Sequence, residues 1–203
     1  MDKEYLIEEL KKIAEVHDIK VDDEVLDRAI AAASFRVVPK GEILVRIGDD
    51  TRMAGIVLKG TLRCYYVDKD GNDITRGFAI NGTMCMDEGF FGYDERICMW
   101  ETLEESTVML ISVADARKLI RESEGMKDTR ISLLEKGFRY KIYRENGFLT
   151  ESATERYIHF KKLYPELASK IPQKHIATYL GITPESLSRI RNAMKEYEPD
   201  RDN

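Results

Sequence analysis

The chain has 203 residues, of which 43 % are hydrophobic, and its net charge is −5. That length holds one large domain or two modest ones, and the apolar share rules out a chain disordered by composition. No run approaches the roughly 18 apolar residues of a membrane helix, so a membrane-spanning chain is excluded, and an acidic total alone argues against a nucleic-acid partner.

The opening MDKEYLIEELKK reads as a charged helix start and not a signal peptide, so a cytoplasmic protein with no membrane partner is expected. Leu6, Ile7, Leu10, Ile13 and Ala14 recur at helical spacing over residues 3–17, and Val25, Leu26, Ala29, Ile30 and Ala33 do so over 22–33. From Phe35 to about Val113 the texture changes to short β-branched or aromatic runs. VVPKGE, RIGDD, LKGTL, DKDGND and INGT punctuate them at the spacing of an antiparallel sandwich or roll. In DKDGND, Gly71 and its Asp and Asn neighbours tolerate positive φ, which predicts a hairpin turn. Cys64, Cys85 and Cys98 form no C-x-x-C pair and are odd in number, so no disulfide framework is expected. They read as buried thiols, with thiol redox sensing as the alternative.

Helical texture returns at Asp115. The stretch 126–149 carries an apolar stripe of Ile131, Leu134, Phe138, Ile142 and Leu149, with Gly137 open to a close backbone approach. The stripe needs a partner, either the chain's own β region or a symmetry mate, and periodicity does not separate the two. Thr150 or Ser152 can cap a further helix that ends at Pro165, which places a hinge at 149–152. From Ser152 to Lys195, eight Lys and Arg oppose three Asp and Glu, a local +5 on an otherwise acidic chain. Such a patch suits one module that touches phosphates.

Within it stands IPQKHIATYLGITPESLSRIR, residues 171–191. Pro172 suits a first helical turn, Gly181 can end a helix at positive φ, and Thr183 with Pro184 can start the next. Leu187, Ile190 and Met194 would face the first helix across the small Ala177, giving a helix-turn-helix. The outward face then carries Pro184, Glu185, Ser186, Ser188, Arg189 and Asn192, with Gln173, Lys174 and Thr183 beside it as further DNA contacts. Arg can donate twice to guanine and Glu can accept from cytosine in a major groove. An αα-hairpin with a solvated face, or one that binds protein, is the bland alternative.

With these motifs the chain resembles the cyclic AMP receptor protein/fumarate-nitrate regulator (Crp/Fnr) family of bacterial transcription factors. The likeness rests on KGEILVRIGDD…VLKGTLRCYYVDKDGND, the long helix and the terminal pair. It implies an α+β chain: an N-terminal antiparallel β-roll of jelly-roll type with flanking helices (residues 1–125), a central dimerisation helix (126–149) and a helix-turn-helix domain (150–203). It also implies a homodimer on a palindromic operator in double-stranded DNA, with RNA polymerase as a further partner. The family's recognition pattern is similar to R-E-T-V-G-R; here residues 184–189 read P-E-S-L-S-R. Glu185 and Arg189 match the two central readers, while Pro184 stands where many relatives have Arg, which predicts a different half-site. The acidic ending EYEPDRDN leaves little sequence for the usual wing.

Members that bind cyclic AMP carry a cassette similar to G-E-(about nine residues)-R-S/T-A. Here Arg96 takes the arginine position, Ile97 replaces the hydroxyl residue, and Cys85-Met86 align near the Gly-Glu pair. Glu88 replaces the acid only through a shifted turn. Arg96 therefore reads as an ion-pairing surface residue or an anchor for another anion, and a cyclic-nucleotide effector is disfavoured. Met84, Met86, Phe90, Phe91, Tyr93, Met99 and Trp100 read as core or lid packing. Met84, Met86, Arg96, Trp100 and Tyr140 are the candidate pocket for an unidentified small-molecule effector, for which an apolar or aromatic acid would suit. No cofactor or metal is expected. An iron–sulfur cluster takes four thiolates; His17, His159 and His175 lie outside the β region, which argues against haem and against a cupin-like enzyme.

Overall fold

The computed structural model describes residues 3–16, 19 and 22–197. His17, residues 198–203, and with them any wing, lie outside the described residues.

Helices α1 (Lys3–Val16) and α2 (Asp23–Ala32) precede eight strands. These are β1 (Ala33–Val38), β2 (Ile43–Val45), β3 (Met53–Lys59), β4 (Leu62–Val67), β5 (Asp73–Ala79), β6 (Met84–Cys85), β7 (Met99–Thr102) and β8 (Ser106–Ser112). They form two sheets, β1-β8-β3-β6 and β2-β7-β4-β5, and the pairs β1–β8, β3–β8, β3–β6, β2–β7 and β4–β7 are antiparallel. Successive strand residues face opposite ways, and β3 and β8 use both faces. Val57 and Val108 enter a core with Leu62, Cys64, Ala79, Cys85, Met86, Cys98 and Trp100. Their neighbours Leu58 and Met109 pack instead with Leu6, Leu10 and Leu26 of α1 and α2. The N-terminal helices therefore cover one sheet, as their amphipathic spacing predicts.

The DKDGND turn forms as expected. Gly71 sits at φ 83°, and the Asp68 carboxylate accepts from the N–H groups of Asp70 and Asn72.

After β8, the Ser112 hydroxyl accepts from Asp115 N–H and caps α3 (Val113–Glu122). Extended Ser123 separates it from α4 (Glu124–Thr150), which is longer than the predicted 126–149. Among the described residues, the apolar stripe of α4 is left exposed. Ile131, Leu134, Phe138, Ile142 and Leu149 are all exposed, Phe138 at 67 % and Leu149 at 78 %. No described atom approaches the space a side chain at Gly137 would occupy.

The chain divides into two compact units. One comprises the described residues to Val67 with Arg76–Gly137; the other comprises Asp68–Thr75 and the described residues from Phe138 onward. In the second unit, α5 (Ala153–Leu163) begins at a capping box: Ser152 accepts from Glu155 N–H, and the Glu155 carboxylate accepts from Ser152 N–H. Ser152 is the cap, and Thr150 is the last residue of α4, its hydroxyl donating back to Asn146 O. There follow α6 (Leu167–Lys170), α7 (Gln173–Leu180) and α8 (Pro184–Tyr197).

Candidate functional site

Each unit carries one candidate site. In the second, α7 ends at Gly181, whose φ of 68° lets the N–H groups of Gly181 and Ile182 turn back to Thr178 O and Ala177 O. The Tyr179 and Leu180 carbonyls also receive cations. Arg144 donates to Tyr179 O at 2.9 Å and stacks 4.1 Å from its ring; Arg156 donates to Leu180 O at 3.2 Å. Tyr140 is fixed here too, its hydroxyl 2.8 Å from that of Tyr179. Ile176, Ala177 and Leu187 are fully buried, with Ile190 and Met194 half-buried. A side chain at Gly181 would be strained by its backbone and would meet the Phe148 ring at 3.0 Å. Gly181→Ala is expected to destabilise the protein by about 1–2 kcal/mol, readable as a lower urea midpoint.

The second helix starts where the sequence says. Thr183 Oγ1 accepts from Ser186 N–H at 3.2 Å, and Pro184 is the first helical residue. Gln173, Lys174, Thr183, Pro184, Glu185, Ser188, Arg189 and Asn192 are exposed, and Ser186 is half-buried. Arg189 donates to Ser186 Oγ at 3.2 Å. The Glu185 carboxyl is held below its usual range by its own backbone N–H and by the Thr183 hydroxyl. At neutral pH it is an acceptor only. One exposed face thus presents a fixed donor and a fixed acceptor one helical turn apart.

In the first unit, the cassette arginine is not a surface residue, contrary to the sequence reading. Arg96 is 2 % exposed, as is Glu88. Its Nη1 donates to Glu88 Oε2 at 2.6 Å and to Met86 O at 2.7 Å, its Nε to Asp50 O at 3.0 Å, and its Nη2 to Met53 O. Four of the five guanidinium N–H groups are thus taken by acceptors of its own chain. Glu88 stands on a 3₁₀ turn over Glu88–Phe91, where its carboxylate is taken by Arg96 itself. Burial alone would raise the Glu88 pKa, but hydrogen bonds from Cys98, its own backbone and Arg96 lower it below the usual value. Met86 adopts φ 54°, a left-handed conformation that costs a non-glycine residue about 1–3 kcal/mol. The bond from Arg96 to its carbonyl helps hold it there.

Of the other residues proposed for an effector, Trp100 and Met86 are buried in the same core and Met84 is exposed on β6. Trp100 Nε1 is buried without a hydrogen-bond partner among the described residues. Tyr140 lies in the other unit and is engaged with Tyr179. Sequence reasoning missed Arg76, whose Nη1 lies 3.7 Å from Cys64 Sγ and 3.8 Å from Cys98 Sγ. It also missed the caps Arg144 and Arg156. Arg76 follows Cys64 by 12 positions across the predicted DKDGND hairpin, which was the available hint for the first; nothing local marks the other two.

Residues 35–123 match a family model described as a cyclic nucleotide-binding domain. Among curated proteins, none matches the chain. Several solved structures do. FixK2 from Bradyrhizobium japonicum is similar with a TM-score of 0.72 and 18 % identity, over 81 % of this chain and 85 % of that one. The c-di-GMP responsive global regulator CLP of Xanthomonas campestris gives a TM-score of 0.70 and 18 % identity, over 87 % and 93 %. A Eubacterium rectale chain assigned to the Crp/Fnr family gives 0.67 and 17 %, over 89 % and 88 %. At these identities the likeness is one of fold.

Proposed function

We propose, from a fold similar to that of a Crp/Fnr-family chain and the match of residues 35–123 to a cyclic nucleotide-binding domain model, that the protein is a cytoplasmic, dimeric, DNA-binding transcriptional regulator. The observation that carries this reading is the exposed face of α8, with Glu185 and Arg189 outward behind a capped N-terminus. In a helix-turn-helix, residues near that end reach base edges, and exposed Lys174 at the start of α7 would meet phosphate. The local +5 of residues 152–195 supports the same assignment. Two of the similar solved structures are of transcriptional or global regulators, which supports it further.

The β-roll would receive a small effector that binds the DNA-competent state preferentially. Cyclic AMP fits this cassette poorly. Its phosphate would have to displace the Glu88 carboxylate from Arg96 inside a core where both are 2 % exposed, leaving one anion unpaired. The orphaned Trp100 N–H supports a ligand that brings an uncharged or weakly charged acceptor on an apolar body.

Selection of duplexes from a random pool, followed by mobility shifts across salt, tests the reading. Arg189→Ala is expected to weaken binding by about 1–3 kcal/mol and to relax preference at one base position. Lys174→Ala should weaken binding to all duplexes alike and flatten the salt dependence. An unselected pool, or full affinity and unchanged preference in Arg189→Ala, would refute the assignment.

A further inference from the structure

Inside the β unit two thiols lie against each other. Cys64 Sγ, on β4, is 3.0 Å from Cys98 Sγ, just ahead of β7. Both residues are buried and neither is in a disulfide. Cys98 donates its proton to Glu88 Oε1 at 2.6 Å, and the Arg76 guanidinium stands beside both sulfurs. An acceptor for the thiol proton and a cation for the sulfur anion are therefore already in place. Buried cysteines usually stand alone among apolar neighbours; this pair does not.

We propose that Cys64 and Cys98 are a reversible redox pair, closed to a disulfide by peroxide, and that the Glu88–Arg96 ion pair senses its closure. In the first step the Cys98 proton passes through Glu88, its sulfur bonds to one peroxide oxygen, the O–O bond breaks, and the released hydroxide leaves with the proton as water. Cys64 then attacks the sulfenic sulfur of Cys98; the S–O bond breaks and a second water leaves with the Cys64 proton. Two thiols and one hydrogen peroxide give one disulfide and two waters. A small-molecule dithiol reverses it by exchange and is itself oxidised.

Closure removes the S–H that Cys98 gives to Glu88. The same carboxylate holds Arg96, which in turn ties the carbonyls of Asp50, Met53 and Met86. The thiol state thus acts on the segments that shape the cassette. The hydrogen bond from Cys64, burial and Glu88 all push the Cys98 thiol up, so little thiolate exists at neutral pH and the pair answers sustained rather than brief oxidation. This chemistry goes beyond DNA binding and its test needs no DNA.

The full-length protein is treated with hydrogen peroxide, denatured, alkylated with N-ethylmaleimide and mapped by mass spectrometry. Before alkylation, the intact mass is expected to fall by about 2 Da. Cys64 and Cys98 should lose alkylation together, Cys85 should keep it, and dithiothreitol should restore all three. Oxidised and reduced protein should also melt several degrees apart. Cys64 and Cys98 staying alkylatable, a disulfide to Cys85, or separate overoxidation of each thiol overturns the pair, and equal melting temperatures overturn the link to Glu88. Cys85→Ser should close the pair unchanged. Cys64→Ser should leave a sulfenic acid on Cys98 that dimedone labels; no label overturns the order of steps. Should Cys64→Ser not fold, the wild-type and Cys85→Ser maps decide the matter alone.

Discussion

Arg96→Ala is expected to destabilise the β unit by about 3–5 kcal/mol, a large fraction of a domain's stability. The cause is what stays behind. Glu88 would be a buried carboxylate without its cation, and the carbonyls of Asp50, Met53 and Met86 would lose a donor together. Trp100, the only tryptophan in the chain, lies in the same core, so its fluorescence through a urea titration reports on this unit. A ligand-anchoring surface arginine would behave oppositely: its loss changes stability by no more than about 0.5 kcal/mol. A small change would thus return Arg96 to the role of an anion anchor. The double variant Arg96→Met, Glu88→Gln should regain part of the loss, because the stranded charge is gone. Sign follows for pH as well. Glu88 has a lowered pKa in the folded state, so its contribution is present at neutral pH and lost as acid protonates it, below the ordinary glutamate range.

What was legible and what was not divides along the range of the interactions. Gly181, Thr183 and Pro184 act within one turn of where they stand, and they place the break between α7 and α8 to the residue. The DKDGND turn and the Ser152 capping box are local in the same sense. The burial of Arg96 was not legible, because three of its four acceptors are carbonyls, which carry no sequence signature, and two of these lie 43 and 46 residues away. The neighbouring sulfurs of Cys64 and Cys98 are likewise 34 positions apart and depend on the register of β4 against β7. Tyr140 shows the same limit. Its place on a long helix could be predicted, but the hydroxyl that holds it belongs to Tyr179, 39 residues on.

The exposed stripe of α4 leads to the second large effect. Counted from Ile131, its residues fall at i, i+3, i+7, i+11 and i+18, which at 100° per residue confines them to an arc of about 80° on one side of the helix. Five large apolar side chains on one line, left in water, are unusual for a monomer and suit a helix that meets its copy. A two-fold pair would present two α8 helices to two half-sites, and one duplex would then engage both. Phe138→Asp is expected to shift a dimer to monomers in sedimentation, since two carboxylates would face each other on a desolvated seam. Operator affinity should fall with it by roughly 10²–10⁴-fold, the advantage of holding the second half-site at high effective concentration. Because Phe138 is 67 % exposed in the single chain, its replacement leaves no cavity. The monomer should therefore keep its Trp100 fluorescence, which separates a broken interface from a broken fold. A wild-type chain that sediments as a monomer, or a Phe138→Asp variant that stays dimeric and binds its operator undiminished, would remove α4 as the joining surface and leave each α8 to bind alone.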